Sequence, residues 1–481
     1  MAFFESIFEE IGLRSVFNAT RDVHLLFLQR FLRMFAYGQV TIILVVFLTL
    51  LGFSESKVGL FMTCTLLGDV VLSFLLTLVA DKLGRRRVLA VGALMMGLSG
   101  VVFSYAFKFW VLLVASIVGV ISPSGNEIGP FRAVEESTIA HLTDLRIRPD
   151  IYAWYAFLGS LGAALGTISC GWIVQYLQEE YNWSPLLACR VIFFIYSIIA
   201  MVKLIITLML SPATELEQLP TEPSEPSAEA IDEADGASRP SESYPLKNLS
   251  TDDVHDQSAD IDEVYEEMNA MGPQPKKRSK WLVWIDLFPR FSRKTARTIA
   301  KLTILFALDS FGSGLATQSW LAYYFTSRFE TKEGVLGSLF FVTNLVSAGS
   351  SIIAASIAKR LGAVITMVAT HLPSSIIITI LGAPSNPAVA MTLLVIRSCT
   401  QSMDVGPRQA FLSAIVTQQE RTSVMGIVNM IRTLAQAAGP SLMGKFASIN
   451  KMWIGFMIAG FCKIIYDLGI LWSFVGVQLH K

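Results

Sequence analysis

Residues 80–86 read Ala80-Asp81-Lys82-Leu83-Gly84-Arg85-Arg86, and residues 358–362 read Ala358-Lys359-Arg360-Leu361-Gly362. Each stretch is a short charged loop with long apolar runs on both sides, and the two loops lie 278 positions apart. A bilayer core of about 30 Å takes roughly 20 apolar residues per helix and excludes charge. A charged turn between two such runs is therefore the signature of a membrane helical hairpin. Working outward from the loops, six candidate spans precede residue 212, at about 30–52, 57–79, 88–107, 109–134, 151–176 and 185–211. Six more follow residue 298, at about 299–325, 333–357, 363–383, 387–412, 422–447 and 452–476.

Composition agrees with a polytopic membrane protein. The 481 residues are 53% hydrophobic and 16% charged, against about 25% charged in soluble domains. Seventeen of the 38 acidic residues fall between Glu215 and Glu267, so the rest of the chain is poorer still in charge. A net charge of zero gives no reason to expect nucleic-acid binding. The five cysteines form no CxxC pair, and the five histidines neither cluster in sequence nor fall at ligand spacing, so neither a metal nor another cofactor is expected.

The chain divides into an amphipathic N-terminal segment (1–29), a six-helix bundle (30–211), an acidic and then basic linker (212–298), a second six-helix bundle (299–476) and a short tail (477–481). The first part of the linker is rich in Pro, Ser and Glu, a composition that stays disordered. Its end interleaves lysines and arginines with Trp281, Trp284 and Phe288, which suits the headgroups of an inner leaflet. Basic residues favour the cytoplasmic side. They gather at Lys82 to Arg87, at Arg146 and Arg148, at Lys276 to Arg297 and at Lys359–Arg360, whereas the opposite loops hold only scattered cases such as Lys57, Lys108, Arg328 and Lys332. Both termini and the linker are thus expected in the cytoplasm.

The halves repeat one another. Glu127-Ile128-Gly129-Pro130 recurs as Asp404-Val405-Gly406-Pro407 at an offset of 277, and Leu161, Ala164 and Gly166 match Leu434, Ala437 and Gly439 at 273. Near-constant offsets in separate places indicate two parallel six-helix repeats, an architecture used by secondary transporters. With these residues in view the chain resembles the major facilitator superfamily over nearly its whole length. The loop from Asp81 to Arg86 matches that family's pattern of acid, base, glycine and two bases. The small glycine usual four positions earlier is Thr77 here, and Lys359 stands where the second copy would carry an acid. The long central loop and the run Ser122 to Pro130 look similar to uncharacterised fungal members. The resemblance implies an all-α fold of twelve transmembrane helices that works by alternating access, with Asp81, Lys82, Gly84, Arg85 and Arg86 as gating residues.

Ionisable groups deep in a membrane persist where they face a cavity or a partner. At 1.5 Å per residue, Asp69, Asp309, Arg397, Arg432 and Lys463 lie roughly 15–17 Å into their spans. Glu127 and Asp404 lie deeper, about 25 Å from the outer end. Arg397, Gln401, Asp404 and Arg408 follow one another at spacings of four, three and four on the tenth span, and Asn429, Arg432 and Gln436 form a similar stripe on the eleventh. Together with Asn126 on the fourth span, Arg397, Gln401, Asn429, Arg432 and Gln436 are the expected solute-binding set. The expected proton carriers are Asp69, an isolated acid with no base one turn away, then Asp309 and Asp404, with Glu127 nearby. Lys463 and Asp467, four apart, read as a structural pair.

These features lead to a secondary active transporter of a small polar solute, anionic or zwitterionic, coupled to protons. Two midplane arginines favour a carboxylate or phosphate compound. Export of an amphipathic secondary metabolite or drug-like compound is the competing reading, and a non-transporting receptor on a transporter fold is the competitor from another class. No GxxxxGK[ST] loop for ATP occurs, and no nucleophile–base set marks an enzyme. The expected partners are the solute, protons and the lipid bilayer, with the chain acting as a monomer and the plasma membrane preferred over the vacuolar or another internal one.

Overall fold

A computed structural model of the chain describes residues 13–119, 121, 130–144, 147–215, 293–415 and 421–474. The segment before residue 13, the linker from 216 to 292, the tail from 475, and Ser122, Asn126 and Glu127 lie outside the described residues, as do the side chains of Asp81 and Lys82. The described residues form helices and no strands.

In the first half, α1 (Leu13–Phe17) leads to α2 (Arg21–Leu50), α3 (Glu55–Leu83), α4 (Arg85–Tyr105), α5 (Phe109–Val118), α6 (Pro130–Leu142), α7 (Arg148–Glu179) and α8 (Pro185–Leu208). In the second half follow α9 (Arg293–Leu315), α10 (Gln318–Phe329), α11 (Glu333–Leu361), α12 (Ala363–Ile380), α13 (Pro387–Ser398), α14 (Val405–Ile415), α15 (Arg421–Ser448) and α16 (Met452–Phe474). Spans seven and ten are each made of two helices: α9 with α10, and α13 with α14; span four contributes α5 and α6, with 122–129 outside the described residues. Among the described residues nine stretches are long and apolar enough to cross a bilayer. The other three spans are the fourth, described only in part, the tenth, which is broken, and the eleventh, whose α15 is polar. The first span begins at Arg21, nine residues before its expected entry. Hydropathy stops the count at Arg30 and Arg33, but both side chains are buried and the helix continues through them.

The sequence repeat has a structural meaning at two of its matches. Gly84 and Gly362 stand at the turns into α4 and α12 with φ of 91° and 83°, a conformation that favours glycine over residues with a Cβ. Gly166 and Gly439, the pair at offset 273, are the contact points between the first and fifth spans of each half. A Cβ at Gly166 would stand 2.0 Å from the Phe35 carbonyl oxygen, and one at Gly439 would stand 2.3 Å from the Gly314 carbonyl carbon.

The apolar interior includes a ring cluster of Phe47, Phe103 and Phe193, with centroids 4.7–6.0 Å apart. On the outside, Val91, Val114, Ile205, Ile304 and Ile353 are each more than half exposed. Branched aliphatics facing outward around a charge-poor bundle meet lipid rather than water. The chain is an integral, multi-pass membrane protein.

Among the described residues, the hydrogen bonds joining the two halves gather at the end of the bundle that carries Gly52. There Ser441 donates to Thr63 at 2.8 Å, Tyr323 to Glu55 at 2.9 Å and Ser319 to the Thr41 carbonyl at 2.7 Å. Lys332 donates to Glu179 at 2.8 Å. Two glycine contacts bring backbones together, Gly59 against Gly444 and Gly171 against Gly337. A cavity lies between the halves beyond this seal, toward the Gly84 end.

Candidate functional site

The cavity has a volume of ≈ 440 Å³ and is walled by α2, α6 and α7 from the first half and by α9 to α16, other than α15's outer turns, from the second. Among the described residues, six arginine and lysine side chains line it, Arg30, Arg132, Arg397, Arg408, Arg432 and Lys463, with His371, against two carboxylates, Asp309 and Asp404.

Asp309 on α9 is the hub of the second half. Lys463 Nζ donates to it at 2.6 Å and Arg408 Nη1 at 3.1 Å. His371 Nε2 lies 3.6 Å from the same carboxylate. Arg408 also pairs with Asp404 at 3.0 Å, one turn away on the same strip of chain. The two carboxylates are therefore engaged by Lys463 and Arg408. The remaining cations differ. Arg432 Nε donates to Ser310 Oγ at 3.2 Å, and its guanidinium sits 5.7 Å from the centre of the Phe306 ring. Arg397 lines the cavity from the end of α13, and its buried Nε has no hydrogen-bond partner among the described residues.

The tenth-span stripe was expected to be one helix, yet the helix stops at Ser398 and resumes at Val405. Arg397, Gln401, Asp404 and Arg408 nevertheless all line the cavity. Of the eleventh-span stripe, Arg432 and Gln436 line it, whereas Asn429 is exposed and does not. Asp309 lines the cavity and Asp69 does not. Asp69 is fully buried in α3, and neither carboxylate oxygen has a hydrogen-bond partner among the described residues. The expected Lys463–Asp467 pair is not formed: Lys463 turns to Asp309, and Asp467 takes His371 Nδ1 at 2.8 Å and the Ser375 hydroxyl at 2.9 Å. Each finds a shorter partner on a neighbouring helix than along its own.

The first half holds a second charge cluster that the sequence reading missed. Glu135 on α6 accepts from Arg33 at 2.5 Å and from the Tyr155 hydroxyl at 2.6 Å, with Lys203 Nζ 3.7 Å away. Arg30 stacks over the Tyr155 ring at 4.7 Å. Arg33, Glu135 and Lys203 are 1%, 0% and 1% exposed, so this cluster is sealed within the bundle, with only Arg30 reaching the cavity wall. The one available signal was a run of charges inside apolar stretches: Arg30 and Arg33 one turn apart, and Lys203 alone in the sixth span.

At the Gly84 end, the signature loop is held by its own half. The Glu215 carboxylate accepts from the backbone N–H groups of Arg85 at 2.7 Å and Arg86 at 3.2 Å, capping α4. Arg86 donates to the Leu208 carbonyl, and buried Arg85 reaches the Ser137 carbonyl at 3.5 Å. Glu215 was missed because it is the first acid of a long acidic segment and looks like all the others.

Comparison with known proteins agrees with this architecture. The model of the Major Facilitator Superfamily matches residues 26–440. The uncharacterized membrane protein YJR124C of Saccharomyces cerevisiae is 38% identical over 462 residues, covering 96% of this chain and 95% of its own length. Among solved structures, the nucleoside transporter NupG is 13% identical with a TM-score of 0.62, covering 95% of this chain and all of its own. The inward open xylose transporter XylE from E. coli is 16% identical, also with a TM-score of 0.62, covering 95% and 97%. A helical bundle of two repeats around one polar cavity, matched to that family's model along nearly its whole length, places this chain in the Major Facilitator Superfamily of membrane transporters.

Proposed function

We propose that the chain is a proton-coupled secondary transporter of a small organic anion, which it binds in the central cavity and moves by alternating access. The single observation that carries this reading is the excess of cations over carboxylates on the cavity wall, with both carboxylates already engaged. Arg397 and Arg432 meet no carboxylate among the described residues, and a guanidinium fork suits a carboxylate or phosphate group. Gln401, Gln436 and Ser310 add neutral hydrogen-bonding groups, and Asp309 and Asp404 hold Arg408 and Lys463 in place around the solute. An amphipathic cargo is less well served, because the charged lining would be desolvated without compensation.

By the distribution of basic residues, the Gly84 end would face the cytoplasm. A reporter fused after Lys481 should therefore read as cytoplasmic; an extracellular reading would defeat the orientation. The loop from Asp81 to Arg86 would then gate the cytoplasmic end.

Uptake into proteoliposomes by the purified chain, screened over radiolabelled mono- and dicarboxylates and phosphate esters, tests the function. Arg397→Gln should weaken binding of the transported anion about 10- to 150-fold, the range for loss of a hydrogen bond to a charged group. Normal anion affinity in that variant would remove the charge argument. Uptake of neutral solutes alone would replace the anion by another substrate class.

A further inference from the structure

We infer that the coupling proton is carried by the His371–Asp467 pair, and that it loads together with the anion, which makes the transporter a proton–anion symporter. This rests on the transport reading above and assigns its coupling site to a histidine that the sequence did not single out and to Asp467, which the sequence had paired with Lys463 instead.

His371 sits on α12 between two carboxylates. Its Nδ1 is 2.8 and 3.1 Å from the two oxygens of Asp467, and its Nε2 is 3.6 Å from Asp309. Asp467 is 1% exposed. Its only cationic partner among the described residues is His371, and its other contact is the Ser375 hydroxyl. Lys463, one turn away on α16, does not serve it, being 2.6 Å from Asp309. The imidazole lines the cavity, so a proton can reach it from the water-filled side while the Nδ1–H to Asp467 bond stays in place.

The charges around the ring set the consequence. Asp309 faces it from α9, Lys463, Tyr466 and Asp467 from α16, and Arg408 with Asp404 lies behind Asp309 on α14, while Arg397 lines the same cavity from α13. The part of α11 that lines the cavity adds no charge. With Nε2 protonated, the imidazolium balances Asp467 and adds a cation beside Asp309. With Nε2 deprotonated, the pair carries one negative charge in a buried site. The proton therefore changes the cavity wall by one positive unit next to the arginines that would hold the anion. Because linkage is reciprocal, a proton that strengthens anion binding is itself bound more tightly in the anion's presence. Proton and anion load and leave together. Asp69 is a poorer carrier, since it is buried in α3 away from the cavity lining.

Two measurements on the full-length protein test this. In lipid nanodiscs with ¹⁵N-labelled histidine, the resonance absent from His371→Gln should lose proton occupancy in Asp467→Asn at the same pH, because the carboxylate that holds the ring proton is gone. An unchanged protonation state of that resonance in Asp467→Asn overturns the proposal. In proteoliposomes loaded with succinate, citrate or glycerol phosphate, His371→Gln should lose accumulation driven by a proton gradient while keeping exchange at equal pH, and Asp467→Asn should do the same. That second variant keeps the ring in place should the first fail to fold. Retained gradient-driven accumulation in both variants, or its loss in Asp69→Asn alone, overturns the assignment. If the wild type moves none of the probe anions, the anion reading falls, and the histidine resonance still supports or overturns the proton site.

Discussion

Gly171→Leu should shift the transporter away from the conformation described here without unfolding it. Gly171 on α7 meets Gly337 on α11 across the two halves, and a Cβ at Gly171 would stand 2.3 Å from the Glu333 carbonyl oxygen and 2.8 Å from the Gly337 Cα. Both obstacles are backbone, so no side-chain rotation relieves them. Overpacking of this kind costs about 1–3 kcal/mol. The penalty applies only while the Gly52 end is closed, because in the alternate state of a rocking carrier these helices separate there and the leucine meets open space. The equilibrium between the two states should therefore move by about 5- to 150-fold toward the form open at the Gly52 end. The assay is oxidative cross-linking of Ser56→Cys with Ser448→Cys, whose hydroxyls lie 3.1 Å apart between α3 and α15, a different pair of helices from the mutated one. If the halves move as rigid bodies, a wedge between α7 and α11 lowers cross-linking between α3 and α15. Undiminished cross-linking, or an equal fall in thermal stability of the whole protein, would refute the reasoning.

Two further outcomes are expected. Asp81→Asn should slow turnover and leave anion affinity nearly unchanged, because α3 supplies no residue to the cavity lining among the described residues; rapid-mixing binding and steady-state uptake on the same preparation check it, and lost binding with normal conformational rates would remove the gating role. Glu135→Gln should destabilise the protein by about 3–5 kcal/mol, the cost of removing one partner from a buried ion pair, which thermal unfolding in detergent measures.

The architecture was legible in the sequence because it is written in short-range patterns. Gly84 and Gly362 mark the same turn in both halves, and their positive φ explains why the repeat kept a glycine there. The 273-residue match at Gly166 and Gly439 likewise reflects one packing requirement used twice. The cavity lining was half legible: the polar stripe from Arg397 to Arg408 points inward as its spacing implied, although the helix beneath it is broken. The ion network was not legible. Lys463 and Asp309 are 154 positions apart, Arg33 and Glu135 are 102 apart, and His371 and Asp467 are 96 apart. A charge pattern along one helix suggests partners three or four residues away, and Lys463 and Asp467 show how that rule yields to a nearer group on the next helix.

The two charge clusters do different work, and the Glu135 prediction separates them. In the first half three cations surround one carboxylate, but Arg33, Lys203 and Glu135 are all closed off from the cavity. Desolvating ions this thoroughly is costly unless every partner is present, so the cluster fixes how α2, α6, α7 and α8 pack and has no slack for a passing solute. In the second half the corresponding ions, Asp309, Arg408 and Lys463, stand on the cavity wall, where water or a solute anion can replace a lost contact. Removing a charge there should cost less stability and more transport. Glu135→Gln is thus expected to lower the unfolding temperature well beyond Asp309→Asn, and Asp309→Asn to impair anion accumulation at nearly normal protein yield. If the two substitutions instead reduced stability equally, the second cluster would be a packing device like the first, and the cationic wall would lose its claim to be the solute site.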